Sequence, residues 1–143
     1  MKKILFILLA VAGFLSCEGP KETGVETQWK AIYYTVKEDD WQLQGVKGGT
    51  NSYYQFVFDE PALTDFIYTE GIVIGYQVID PGTADEVLRP LPDTWPVGEK
   101  SSYWTESISF DYMPGSVAFY VGYSDFATNI LPSTMTFKLM MIW

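Results

Sequence analysis

From Gln28 onward, apolar and polar positions alternate with a period of two, and short runs of Gly, Pro, Asn and Asp break the alternation at intervals. That is the pattern of strands joined by turns. "QWKAIYYTVK" predicts a first strand, "DDWQLQG" a short second one, and "KGGTNS" a loop. "SYYQFVF" puts Tyr54, Phe56 and Phe58 on one face of a third. "DEPALTDFIYTEG" departs from the pattern: Leu63, Phe66 and Ile67 recur at helical spacing, Asp59 suits a cap, Pro61 a first turn and Gly71 a stop. One or two helical turns are expected there. "IVIGYQVI" is almost continuously apolar and predicts a strand covered on both faces, followed by a type II turn at Pro81-Gly82.

Val87 and Leu88 predict a brief edge strand. The rest of "EVLRPLPDTWPVGEK" holds three prolines and reads as loop, because proline cannot donate to a ladder. "YWTESISFDY" sets Trp104, Ile108, Phe110 and Tyr112 against Thr105, Ser107, Ser109 and Asp111. After the tight turn "MPGS", "VAFYVGYS" returns with Val117, Phe119, Val121 and Tyr123 on one face, completing the clearest hairpin in the chain. "DFATNILPS" is a loop, and "TMTFKLMMIW" is a last strand with Phe137, Leu139 and Met141 on one face. The expected fold is therefore all-β: an antiparallel β-sandwich of seven or eight strands with one short helical turn, in one domain over residues 28–143. Ten Tyr, nine Phe and five Trp supply its core volume, and a single cysteine rules out an intrachain disulfide.

The segment before this domain has a different character. In "MKKILFILLAVAGFLSCEGP", Lys2 and Lys3 precede an apolar run from Ile4 to Leu15, with small residues Gly13 and Ser16 near its end. That is the layout of a secretory signal peptide, and the run is shorter than the ~20 residues a membrane-spanning helix needs. The only cysteine, Cys17, follows at once. "FLSC" resembles the lipobox of bacterial lipoproteins, with Phe14 where that motif prefers Leu. The resemblance implies removal of residues 1–16 and acylation of Cys17, whose buried CH₂ groups at ~0.8 kcal/mol each would hold the protein on a membrane. Residues 17–27 would then be the lipidated cysteine and a tether, since "EGPKETGVET" offers only Val25 to a core. "CEGP", with "LTDFIYTEGIVIGY", "LRPLPDTW" and "MTFKLMMIW", is also similar to a group of Bacteroidetes-type lipoproteins in which G-P-x triplets lead into a small β-rich domain. One "GP" cannot build a triple helix. The resemblance implies a lipid-anchored protein of the cell envelope, placed at the outer membrane, and implies no activity.

Charge and residue types narrow the chemistry. The chain carries a formal charge of −9, and loss of Lys2 and Lys3 would leave 7 basic against 18 acidic residues, or −11. Such a surface repels phosphate backbones, so no nucleic-acid partner is expected. There is no histidine, which removes Ser-His-Asp and Cys-His catalysis and the commonest transition-metal ligand. "KGGTNS" lacks the spacing of a phosphate loop. Asp39-Asp40 and Asp59-Glu60 lack the spaced ligands of a calcium loop and suit turns instead. No catalytic residue, metal or cofactor is expected.

Trp41, Trp95 and Tyr103 remain, each in or beside an expected turn. Aromatic rings on sandwich loops are the means by which many carbohydrate-binding modules stack sugars. They also plug the ends of sandwich cores, and large aromatics are mostly buried. On that ground Trp95 is expected to fold inward, fixed by Pro92 and Pro96. The expected partners are a membrane, through the lipid, and an envelope protein or other envelope component. A glycan is the alternative ligand.

Overall fold

The last strand shows how sequence becomes layer. Alternation in "MTFKLMMI" buries Met135, Phe137, Leu139 and Met141 and leaves the residues between them half-buried. That one-sided burial needs a second sheet to face it. The structure, a computed structural model, describes residues 26–99 and 102–143; the leader, Cys17 and most of the tether lie outside the described residues. The strands are β1 (Trp29–Val36), β2 (Gln42–Gln44), β3 (Tyr53–Glu60), β4 (Ile72–Ile79), β5 (Val87–Pro90), β6 (Asp93–Glu99), β7 (Ser102–Met113), β8 (Gly115–Tyr123) and β9 (Met135–Ile142). Among the described residues, a 3₁₀ turn spans Glu38–Asp40 and a short helix, α1, spans Asp65–Glu70. The strands form two sheets, β1-β9-β4-β5 and β2-β3-β8-β7-β6, with every pair antiparallel. The all-β sandwich expected from the sequence is what forms.

Aromatic rings join the sheets. Phe119 of β8 and Phe137 of β9 stack with centroids 4.1 Å apart and planes 11° apart, both fully buried. Tyr34 of β1 packs on Phe58 of β3 at 4.5 Å. Its hydroxyl crosses the core to donate to Oε2 of Glu60 at 2.7 Å, and Oε1 of Glu60 accepts the Ala62 amide at 3.0 Å. A buried carboxylate is tolerated because its lone pairs are filled. That arrangement and the buried surroundings push the Tyr34 hydroxyl well above the ordinary tyrosine range, chiefly through desolvation and then through Glu60. At Gly75 of β4 the facing sheet leaves no room for a side chain: a Cβ there would lie 2.6 Å from the Phe110 ring.

Four expectations need correction. The described residues hold nine strands rather than seven or eight, because Asp93–Glu99 is a strand and not a loop. As an edge strand, β6 needs donors only on its β7 side, so Pro96 is accommodated opposite Thr105. The helix is capped by Thr64, whose Oγ1 accepts the Ile67 amide at 3.2 Å; Asp59 lies in β3, and Pro61 precedes the helix instead of opening it. Gly71 does close it, donating to the Ile67 carbonyl at 3.0 Å. Finally, the cover of β4 is uneven on its outward face: Val78 is buried, whereas Ile72 at the other end of the same face is 60% exposed. The turn after β4 is as expected, with Gly82 at φ 75° and the Thr83 amide donating to the Asp80 carbonyl at 3.3 Å.

Gly75→Ala should destabilise the domain by about 1–3 kcal/mol, because the methyl group must displace an aromatic ring in a packed interior. Urea denaturation measures this, and an unchanged midpoint would show that the sheets are further apart at this point.

Candidate functional site

One corner of the sandwich lies outside the aromatic core. No residue of β6 belongs to that core. On β6, Trp95 lies opposite Glu106 of β7, which lies opposite Tyr123 of β8. Strand alternation therefore puts the three in one row on the inward face. Val97 and Trp104 form the next pair. β5, only four residues long, brings Arg89 to the same corner from the other sheet. Its Nε is 3.5 Å from Oδ2 of Asp93, and its guanidinium lies 4.5 Å from the centre of the Trp95 ring. Cation–π stacking of this kind holds the indole in place.

Beside this row is a cleft of about 280 Å³ walled by Trp104, Tyr123 and Ile130, with Glu106, Asp125 and Asn129 as its polar groups. The residues after β8 form its far side, tied down by the Ser124 amide donating to the Thr105 carbonyl (2.9 Å) and by the Tyr54 hydroxyl donating to the Ile130 carbonyl (3.2 Å). Oδ1 of Asp125 accepts the Ala127 amide at 3.1 Å, so part of that carboxylate shapes the loop. Burial lifts the Glu106 carboxyl above the ordinary carboxylate range, against the opposing pull of the Tyr123 hydroxyl and Arg89. Burial, then Glu106, raises Tyr123 in turn. The corner thus combines apolar walls with a few convergent polar groups, as small-ligand sites do.

The three aromatic residues proposed from sequence are not brought together. Trp41 is a core residue, 5% exposed, edge-on to Phe137 at 6.3 Å and donating its indole N–H to the Ser133 carbonyl at 3.1 Å. Tyr103 is 73% exposed near the start of β7, on the opposite face from Trp104 and hence from Trp95. Trp95 corrects the expectation of an inward plug: it sits within β6 and is 53% exposed. Arg89, Trp104 and Glu106 were not singled out. Glu106 carried the readable signal, a lone acid at an inward position between Trp104 and Ile108. The acid pairs serve local structure: Oδ2 of Asp40 faces the Lys37 amide at 3.3 Å, and Glu60 is bound to Tyr34 and Ala62. Among the described residues no cluster of three or more His, Cys, Asp or Glu could hold a metal.

No protein-family model, curated protein or solved structure matches this chain.

The raised Glu106 carboxyl sets a pH dependence. The folded state favours its protonated form, so its contribution to stability is present at low pH and lost as pH rises through the raised value. Glu106→Gln removes that ionisation. The variant should match wild type below about pH 4, where an ordinary glutamate is itself protonated, and melt higher than wild type at pH 7. Equal melting curves at both pH values would place Glu106 in water.

Proposed function

We propose that the chain is a lipid-anchored protein of the cell envelope, non-catalytic, whose sandwich domain binds a component of that envelope at the Trp95 corner. A glycan is the ligand class that the corner suits. The observation that carries this reading is the half-exposed indole of Trp95, stacked by Arg89 and opposite Glu106, which lines a cleft with Trp104, Asp125 and Asn129. A sugar ring presents an apolar face that stacks on an indole and hydroxyls that donate to carboxylate and amide oxygens. Stacking on a ring already fixed by a cation loses little conformational entropy. Glu106 and Asp125 both line the cleft as acceptors, and Oδ1 of Asp125 is already engaged by the Ala127 amide. The absence of histidine and the lipobox-like "FLSC" support the rest of the reading.

Two measurements test it. The wild-type chain should incorporate labelled fatty acid and fractionate with membranes, and Cys17→Ala should lose the label; a label that persists contradicts anchoring at Cys17. In a glycan array, Trp95→Ala should abolish binding while the domain stays cooperatively folded, because the half-exposed indole lies outside the aromatic core. Binding that survives the substitution, or no binding by wild type to any envelope glycan, would overturn the assignment.

A further inference from the structure

The face of the β1-β9-β4-β5 sheet turned away from the core is apolar. Register sets Trp29, Ile142 and Ile72 in one row across β1, β9 and β4, and Ala31, Met140 and Ile74 in the next. Trp29 and Ile72 are 67% and 60% exposed. A third row, Tyr33, Lys138 and Tyr76, borders these two, with the Lys138 ammonium 5.3 Å from the Tyr33 ring. A shallow depression of about 540 Å³ runs between Trp29 and Lys138. A monomer in water rarely leaves so continuous an apolar face bare.

Charge says what covers it. In a chain with 18 acidic residues, none of the four strands of this sheet contains Asp or Glu, and the charge on this outer face is Lys138; Lys30 and Arg89 alternate to the inward side, opposite Met141 and Gln77. Asp59, Glu60, Asp93, Glu106 and Asp111 belong to the other sheet, whose strands hold no Lys or Arg. A second copy of this face would set Lys138 against an identical surface with no carboxylate to receive it. A bilayer suits it better. Trp and Tyr favour the headgroup level, Ile and Met the acyl boundary, and a lysine lying along a tyrosine ring reaches lipid phosphate. Position agrees. Trp29 is twelve residues after Cys17, a span of at most about 43 Å.

We propose that the outer face of the β1-β9-β4-β5 sheet rests on the membrane surface, turning the acidic sheet and the Trp95 corner to the aqueous side. The inference builds on the reading of Cys17 as a lipid anchor, and its test replaces that anchor so that the two fail separately. Residues 18–143, carrying an N-terminal oligohistidine tag, are held on vesicles of phosphatidylethanolamine, phosphatidylglycerol and a nickel-chelating lipid. An environment-sensitive fluorophore is attached at Ile72→Cys, or at Val57→Cys on the exposed face of the other sheet. With the vesicles present, the probe at 72 should shift to the blue and be quenched by brominated acyl chains, and the probe at 57 should do neither. Trp29→Glu should remove the shift at 72 without lowering the melting temperature. A probe at 72 that stays solvent-like on the vesicles overturns the proposal. So does one already shielded before vesicles are added in a protein that sediments as a dimer, since a second copy would then be the cover.

Discussion

The stacked contact of Phe119 with Phe137 is the point on which the two sheets turn. Each ring comes from an interior strand of its sheet, β8 and β9, so the pair fixes the spacing of the layers at their centre. Single cross-sheet pairs matter greatly in a chain without an intrachain disulfide, because the core alone must offset the entropy of ordering. The consequences spread outward from this pair. Tyr34 and Phe58 repeat the contact one strand away, and Trp41 closes over Phe137 edge-on. At the spacing so fixed, β4 meets β7 so closely that only glycine fits over Phe110 at position 75.

The same geometry explains why an open corner exists. Aromatic packing ends before β6, and the opposing sheet ends in the four-residue β5. Inward-facing positions near this end have no second layer to fill them. The chain places there Arg89 against Asp93 and Trp95, and Glu106 opposite Tyr123. Polar groups at an uncovered inner face keep the corner from closing as core or being left as bare hydrocarbon. The site is thus a by-product of unequal strand lengths, furnished with aromatic and acidic side chains.

Much of the fold was legible because period-two burial leaves a direct trace. The hairpin of β7 and β8 and the face of β9 follow from alternation alone, and Phe137, Leu139 and Met141 are buried as that pattern requires. Where the reading failed, a local rule was overridden by position in the sheet. Prolines argued for loop at Asp93–Glu99, yet an edge strand needs donors on one side only. An unbroken apolar run argued for two covered faces along β4, whereas the outward one is open at Ile72 and buried only toward Val78. Trp95 shows why the site was harder to read than the fold. Whether an inward-facing ring is buried depends on where the opposite sheet stops, and alternation within one strand carries no information about that.

The central claim is that the Phe119–Phe137 contact couples the sheets. A double-mutant cycle with Phe119→Leu and Phe137→Leu, read by urea denaturation, measures it most directly, since leucine keeps most of the buried volume and removes the ring pairing. The account predicts that the two losses are coupled by about 0.5–1.5 kcal/mol, the double variant being less destabilised than the sum of the singles. Strict additivity would show that the rings do not pack on each other and would contradict the sandwich described here.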